Sequence, residues 1–214
     1  MICWKVEEDH INYIQNCNVP ATYISKTARD YDIYTVSTSN KEATYDMTKY
    51  LIDKGHEDIA FIMTSKDDTV LERERLSGYE KALNENNIKL DEGLIKYGGT
   101  TYEAGYESMK ELLEDGKVPH AAFVTGDEAA IGAINAACDK GYRVPEDISV
   151  AGFNDVKIAK MYRPKLTTVY QPLYDMGAVA MRMVIKLINK EPLENKKVEL
   201  PYRIVERESV ITRK

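Results

Sequence analysis

Residues 121–155 read AAFVTGDEAAIGAINAACDKGYRVPEDISVAGFND, which combines two apolar segments with a helical segment between them. The segments AAFVTGD and ISVAGFND are short and mostly apolar, as is typical of strands buried on both faces of a sheet. Between them, EAAIGAINAACDKG has helical periodicity and ends at Gly141, a residue type common just after helices. A strand, a helix and a strand at this spacing predict a parallel βαβ unit.

The same alternation extends through most of the chain. Upstream, the pattern predicts helices at 41–55, 70–86 and 101–116 and strands at 58–65 and 94–99. Near the start it predicts strands at 1–4, 21–25 and 33–39 with a helix at 7–16, and near the end an extended segment at 163–171, a helix at 174–190 and terminal strands within 197–212. The chain is therefore predicted to be an α/β protein with one complete lobe and part of a second.

Composition narrows the functional class. The 214 residues include 29 basic and 35 acidic side chains, so the net charge of −6 argues against nucleic-acid binding by this chain alone. Cys3, Cys17 and Cys138 are widely spaced, which argues against a disulfide framework or a zinc site. The start MICWKVEEDH does not resemble a signal peptide, and no apolar run is long enough to span a membrane. A soluble cytoplasmic protein that does not contact membranes is expected.

Catalytic motifs are lacking in the sequence. Carboxylates near the predicted strand ends could serve as a general acid and base, but no nucleophile stands beside them. The three histidines are scattered without metal-ligand spacing, and no phosphate-binding glycine loop follows a strand. We therefore expect no enzyme activity, no cofactor and no metal.

The polar residues at the predicted strand ends have structural alternatives. Asp127 is placed to cap the helix that follows it, and Asn154 and Asp155 are residue types common in loop turns. Arg75 lies among acidic residues of its own predicted helix, where intrahelical pairing would explain it.

The predicted helix 174–190 has two distinct sides. Its apolar side consists of Met176, Ala180, Met183, Val184, Leu187 and Ile188. On another side, Asp175, Ala178, Arg182 and Lys186 follow one another at steps of three or four residues. Arg182 and Lys186 are either part of an ordinary solvated face or an anion-binding pair, and helical spacing alone favours the solvated face.

Four segments resemble the signature sequences of the LacI/GalR family of bacterial transcription regulators. They are YLIDKGHEDIAFI (50–62), RERLSGYEKAL (73–83), GDEAAIGAINAACDKGYRVPEDISVAGFND (126–155) and RPKLTTVYQPLYDMG (163–177). The resemblance implies a periplasmic-binding-protein-like fold of two α/β lobes with an effector cleft. It implies an N-terminal lobe of residues 1–39 and 169–201, only partly present, and a C-terminal lobe of residues 40–168 and 202–214. The family's DNA-binding head is expected to be missing from these residues, because no helix-turn-helix pattern is found.

The segment YDMGAVAMR, with Lys186 beyond it and ELPYRI downstream, resembles the catabolite control proteins within this family. Their corepressor is the phosphocarrier protein HPr phosphorylated on a serine. The resemblance assigns Tyr174, Asp175, Arg182, Lys186 and Arg203 to docking of this phosphoprotein, with Arg182 and Lys186 as the phosphate-binding pair. It also implies a homodimer that contacts operator DNA only through the missing head.

The resemblance assigns the effector cleft to Arg75, Thr100, Asp127, Asn154, Asp155 and Gln171. Arg75, Asp127 and Gln171 match the family pattern. Gly126, Asn154 and Thr100 depart from it, because sugar-binding relatives often carry hydrogen-bonding, carboxylate and stacking side chains there. These departures predict weak binding of neutral sugars. Weak binding of a phosphosugar near Arg75 remains an alternative. Two other functions also remain as alternatives, namely the core of a sugar-responsive repressor and the sugar-binding protein of a transporter.

Overall fold

The computed structural model describes residues 1–3, 8–17, 19–24, 33–65 and 70–213. The chain packs into two units, and each is described by itself. The smaller unit comprises Met1–Ser39, Thr69–Leu71 and Pro172–Tyr202, and the larger comprises Asn40–Asp68, Glu72–Gln171 and Arg203–Lys214. The boundary near residue 170 lies between Gln171 and Pro172, three residues after the expected one, because residues 167–170 form a strand of the larger unit's sheet.

The elements of the described residues follow the predicted alternation. The strands are β1 (Ile2–Cys3), β2 (Thr22–Ile24), β3 (Tyr34–Ser37), β4 (Ile59–Met63), β5 (Ile95–Tyr97), β6 (Ala121–Val124), β7 (Ser149–Asn154), β8 (Thr167–Tyr170), β9 (Lys197–Glu199) and β10 (Arg203–Val205). The helices are α1 (Glu8–Asn16), α2 (Asn40–Asp53), α3 (Val70–Glu85), α4 (Tyr102–Glu114), α5 (Asp127–Asp139), α6 (Lys157–Met161) and α7 (Leu173–Ile188).

The larger unit is built on a six-stranded sheet in the order β10-β8-β7-β6-β4-β5. All neighbouring strands pair in parallel except β10, which runs antiparallel to β8. β4 and β6 are buried along their whole length, as their continuous apolar sequences predict. Gly55, Gly116 and Gly141 follow α2, α4 and α5 with positive φ angles, which confirms the predicted glycine helix ends.

Two glycines bring α4 and α5 of the larger unit unusually close together. A Cβ atom on Gly132 would lie 2.0 Å from the carbonyl oxygen of Tyr102, and one on Gly105 would lie 1.9 Å from that of Ala129. Only glycine permits this backbone approach. The two helices carry much of the apolar core, including the fully buried Met109 and Leu112.

The smaller unit contains a parallel sheet in the order β1-β2-β3-β9. Helix α7 packs on it through the predicted apolar side, where Met176, Ala180 and Met183 join Ile24 and Val36 in one buried cluster. A second cluster holds Ile11 and Ile14 of α1 against Tyr23. The apolar periodicity of residues 174–190 therefore predicted the buried side of α7, but Ile188 is an exception because it is 61% exposed.

One helix of the described fold differs from the sequence prediction. The short helix α6 was not predicted, since five residues are too few to show helical periodicity. The terminal strands expected within 197–212 are β9 in the smaller unit's sheet and β10 in the larger unit's sheet. Pro201 lies between them, and the chain passes from one unit to the other after Tyr202.

In residues 1–3, 8–17, 19–24, 33–65 and 70–213, no group of three or more His, Cys, Asp or Glu side chains could hold a metal ion. Over the same residues, no helix has both the length and the apolar character needed to cross a membrane. Cys17 and Cys138 are free thiols.

Candidate functional site

The six residues assigned to the effector cleft all belong to the larger unit. Its parallel strands β4, β6, β7 and β8 run in one direction, so their carboxyl ends share one edge of the sheet. Thr64 and Thr125 meet there, with 3.2 Å between their hydroxyl oxygens. Asn154 ends β7, and Gln171 follows β8 directly. This carboxyl edge is where ligands bind in open α/β sheets.

Arg75 is buried at this edge. Its Nε donates to the side-chain oxygen of Asn40 at 3.3 Å, and its Nη1 donates to the carbonyl oxygen of Thr125 at 3.4 Å. The guanidinium carbon lies 4.4 Å from the ring centre of Phe153, at cation–π distance. Burial lowers the pKa of Arg75, and the negative charge of Glu72 opposes this. Contacts with other elements therefore position the side chain, while the negative charge of Glu72 adds an attraction within α3.

Asp127 does not cap α5, contrary to its predicted structural alternative. Gly126 occupies the N-cap position, and no side chain caps this helix. The Asp127 side chain is instead turned toward two other elements. Its Oδ1 accepts from the hydroxyl of Thr168 at 2.5 Å, and its Oδ2 accepts from the backbone N–H of Val156 at 2.7 Å. The residue is 1% exposed, and burial raises its pKa to about 7.

Asn154 and Asp155 form a turn with left-handed backbone geometry. Their φ angles are +110° and +56°, respectively. The Asp155 carboxylate accepts from Nη2 of Arg207 at 2.6 Å, and the ammonium of Lys160 lies 3.7 Å from it. The backbone N–H of Gln171 donates to the carbonyl oxygen of Asn154 at 3.4 Å. The structure thus brings Asn154, Asp155 and Gln171 together.

Thr100 is exposed in the loop between β5 and α4. A Cβ atom on Gly126 would lie 3.9 Å from the Cα of Thr100, so these two small residues are neighbours. Gly126 and Thr100 are two of the three positions on which the expectation of weak sugar binding rests, and they lie on one part of the carboxyl edge.

The predicted phosphoprotein-docking residues are divided between the two units. Tyr174, Asp175, Arg182 and Lys186 lie on α7 of the smaller unit, and all four are exposed. Arg203 lies on β10 of the larger unit. Its guanidinium carbon is 3.9 Å from the ring centre of Tyr170, its cross-strand partner on β8. The sequence therefore located these residues on exposed positions, and four of them on one helix.

An apolar stripe runs along the exposed side of α7. It consists of Tyr174, Met181, Ile185 and Ile188, which are 87%, 50%, 48% and 61% exposed. These residues recur at helical spacing on the side adjoining Arg182 and Lys186. We call the four stripe residues together with Asp175, Arg182 and Lys186 the α7 face. Met181 and Ile185 were not among the predicted site residues, although they lie seven and eleven residues after Tyr174, which is helical spacing.

A second polar and aromatic surface lies on the larger unit, and we call it the α4–α6 face. Asn135 of α5 donates to the hydroxyl of Tyr102 at 2.8 Å and accepts a hydrogen bond from the hydroxyl of Tyr162. Tyr106 of α4 donates to Asp139 of α5 at 2.9 Å. Met161 at the end of α6 is exposed beside Tyr162. No sequence pattern predicted this surface, because its residues come from three separate parts of the chain.

Residues 48–210 match the periplasmic binding protein-like domain family. The chain belongs to this family. Catabolite control protein A of Priestia megaterium is 37% identical over 205 residues, which are 96% of this chain and 62% of that protein. The HTH-type transcriptional regulator RegA of Clostridium saccharobutylicum is 40% identical over 207 residues, 97% of this chain and 62% of that protein. The chain thus spans about three fifths of the length of these relatives.

Solved structures of periplasmic-binding-protein-like regulators show the same fold. The transcription regulator CcpA of Lactococcus lactis matches with a TM-score of 0.90 and 37% identity, covering 98% of this chain and 77% of that one. A complex of the transcriptional regulator CelR with cellobiose matches with a TM-score of 0.89 and 30% identity, covering 97% and 64%. These matches confirm the predicted fold and the resemblance to LacI-type regulators of catabolite control.

Proposed function

We propose that this chain is the corepressor-binding and dimerisation core of a LacI-type regulator of catabolite control, acting in the cytoplasm. We further propose that its corepressor is HPr phosphorylated on a serine. The relatives named as catabolite control protein A support the first statement. The exposed α7 face is the observation that carries the second, because it joins two cations to an apolar stripe. Operator binding is assigned to a helix-turn-helix head outside residues 1–214.

The two cations of α7 fit a phosphoserine. Arg182 and Lys186 are four residues apart on a helix and both are exposed, so they face the same way. A phosphoserine carries nearly two negative charges and several acceptor oxygens, which an Arg can grip with its planar fork while a Lys supplies a point charge. Such charge-assisted hydrogen bonds contribute about 1.5–3 kcal/mol each. Two of them separate a phosphorylated from an unphosphorylated partner by about two to four orders of magnitude.

The apolar stripe favours a protein over a small phosphate compound. A phosphosugar would use Arg182 and Lys186 but would leave Met181, Ile185 and Ile188 in water. A folded partner with apolar residues beside its phosphoserine covers both kinds of surface, which is how protein interfaces combine an apolar centre with a polar rim. Covering exposed apolar area contributes about 25 cal/mol per Å² before the costs of association. The charges therefore supply selectivity for the phosphate, and the stripe supplies affinity for the protein.

Homodimer formation is also part of the proposal. The α4–α6 face supports it, because three tyrosines that are half-buried against the core keep part of each ring exposed, with hydroxyl groups already held by Asn135 and Asp139: Tyr102, Tyr106 and Tyr162. Aromatic residues of this kind are enriched at protein interfaces. Two copies associated in this way would carry paired DNA-binding heads to a palindromic operator.

The second candidate is a sugar-responsive repressor core. The CelR structure with bound cellobiose favours it, since its fold matches closely and Arg75 and Gln171 stand at the carboxyl edge of the sheet. Against it, the Arg75 guanidinium already contacts Asn40, Thr125 and Phe153. A neutral sugar that raises the melting temperature at micromolar concentration would support this candidate, by stabilisation of the ligand-bound fold.

Calorimetric titration with HPr tests the proposal directly. The chain is titrated with unphosphorylated HPr and with serine-phosphorylated HPr, and we expect binding of the phosphorylated form alone. Arg182→Ala should weaken this binding by about 2–5 kcal/mol, since it leaves the phosphate with one cation fewer. Arg143→Ala is the matched control, because Arg143 is an exposed arginine of the larger unit that pairs with Asp147. Equal binding of both HPr forms, or no effect of Arg182→Ala, would contradict the proposed docking.

A further inference from the structure

The turn that ends β7 has an unfavourable backbone geometry. Asn154 and Asp155 both have positive φ angles, +110° and +56°, and neither is glycine. Residues held in sparsely populated backbone regions persist only where the surrounding structure fixes them, and they cluster at functional sites. Asn154 is one of the residues assigned to the effector site, so whatever fixes this turn also fixes a residue proposed to contact effectors.

Two charged side chains fix the turn from different sides. Asp127, the first residue of α5, accepts the N–H of Val156 immediately after the turn and also the hydroxyl of Thr168 on β8. Nη2 of Arg207 donates a hydrogen bond to the Asp155 carboxylate at 2.6 Å, and its Nη1 donates one to the carbonyl oxygen of Leu166 at 2.7 Å. Asp127 is nearly fully buried, so it holds the turn without being available to a ligand.

We propose that Asp127 and Arg207 are positioning residues that hold the Asn154–Asp155 turn, and that Asp127 holds it more firmly when it is protonated. A neutral acid can keep both hydrogen bonds. Its O–H donates to the hydroxyl oxygen of Thr168, and its carbonyl oxygen still accepts from the N–H of Val156. Protonation therefore removes the cost of burying a charge without removing a bond.

The charges around Asp127 set the pH range of this effect. Burial is the main cause that raises its pKa to about 7, and the neighbouring Asp155 adds to the rise while Arg207 opposes it. Lys160 lies 3.7 Å from Asp155 and partly offsets that second carboxylate. Because the buried pKa lies above that of an exposed carboxyl group, raising the pH from about 4 to about 7 favours opening of the turn.

Opening of the Asn154–Asp155 turn would affect the residue at which the chain leaves the larger unit. The carbonyl oxygen of Asn154 accepts from the N–H of Gln171, and Gln171 is the last residue before the chain enters the smaller unit at Pro172. A change in the turn thus alters the backbone hydrogen bond beside this crossing. The protonation state of Asp127 would thereby affect a segment of the chain that joins the two units.

Hydrogen exchange of the Val156 amide is the test, measured on the whole chain from pH 5 to pH 8 as a protection factor. In the wild type we expect protection to fall by about tenfold or more with rising pH. Asp127→Asn is a neutral replacement that can keep both hydrogen bonds, and its protection should not change with pH. Glu128→Gln is the matched control, since Glu128 is the next residue on α5 but is exposed. It should follow the wild type.

Arg207→Gln separates the two positioning residues. It should lower Val156 protection at every pH and keep a pH dependence whose midpoint moves to higher pH, because Asp127 stays in place but the positive charge that opposes its raised pKa is lost. The proposal is overturned by a flat wild-type profile or by an unchanged slope in Asp127→Asn. If Asp127→Asn does not fold, the carboxyl carbon shift of Asp127 in the wild type decides by nuclear magnetic resonance. A titration midpoint below pH 5 would then refute the proton-dependent hold.

Discussion

The close approach of α4 and α5 predicts opposite outcomes for the same substitution at two glycines. In Gly132→Ala, the new Cβ atom would lie 2.0 Å from the carbonyl oxygen of Tyr102 and 2.8 Å from the N–H nitrogen of Tyr106. In Gly177→Ala on α7, the new Cβ atom would meet nothing within 4 Å. Both positions are inside helices, so the difference in surroundings alone decides the sign.

The size of the first effect follows from the distances. Ordinary contact of a Cβ atom begins near 3.4 Å, so α4 and α5 must separate locally by about 1.4 Å at Gly132. The contact atoms are backbone and cannot rotate away, which places the overpacking cost near the upper end of the usual 1–3 kcal/mol. Alanine recovers about 0.5–1 kcal/mol through its better helix propensity. The net expected loss of unfolding free energy is about 2 kcal/mol for Gly132→Ala, against a gain of about 0.5–1 kcal/mol for Gly177→Ala.

Urea denaturation of both variants and of the wild type measures these differences at constant pH. The double variant Gly105→Ala with Gly132→Ala should cost less than the sum of the two single variants, because one separation of the helices relieves both clashes. A Gly132→Ala variant within about 0.5 kcal/mol of the wild type would refute the reasoning, since it would mean that the helices are not in backbone contact. Loss of stability in Gly177→Ala would equally contradict the absence of contacts there.

Three further predictions concern the polar networks of the larger unit. Arg207→Ala leaves the Asp155 carboxylate buried without its nearest cation. It should reduce the free energy of unfolding, measured by urea titration, by about 3 kcal/mol. A loss below about 1 kcal/mol would contradict a stabilising role of this ion pair. Asp127 has a raised pKa in the folded state, so its stabilising contribution is present below about pH 4 and is lost as the pH rises to about 7. The free energy of unfolding should therefore fall by about 4 kcal/mol over this range, and Asp127→Asn should flatten the fall when unfolding is measured against pH. An unchanged pH profile in Asp127→Asn would exclude the buried carboxylate as the source. Tyr162→Ala removes the ring and the hydroxyl that donates to Asn135 on the α4–α6 face. It should weaken self-association about 30-fold, as measured by analytical sedimentation. An unchanged monomer–dimer equilibrium would mean that the dimer contact lies elsewhere.

The sequence predicted the elements whose signal is local. Strands β4, β6 and β7 were readable because a strand buried on both faces must be apolar throughout, and the glycine ends of α2, α4 and α5 were readable because left-handed helix ends select that residue. Helix α6 is too short for a periodic signal. The pairing partners of β9 and β10 were not predicted, because each strand is three residues long and its partner is distant in the sequence.

Some residues of the candidate site could likewise be predicted from nearby sequence, and others depend on contacts with distant parts of the chain. Arg182 and Lys186 were placed on an exposed helix face by spacing alone, because helical geometry relates residues four apart. The setting of Arg75 could not be read locally, since Asn40, Thr125 and Phe153 come from other parts of the chain.

Asp127 shows why a correct local rule can still fail. An Asp at the junction of a strand and a helix favours capping, and nothing nearby in the sequence opposes that role. Its carboxylate instead accepts from Val156 and Thr168, which lie 29 and 41 residues further along the chain. Those contacts exist only once β6, β7 and β8 are aligned in the sheet, so the side chain that would otherwise stabilise one helix end joins three elements at the carboxyl edge. A residue that departs from its local preference and is buried at such an edge is a better candidate for a positioning role than for a ligand contact, and Asp127→Asn tests that distinction because it keeps the shape and removes the charge.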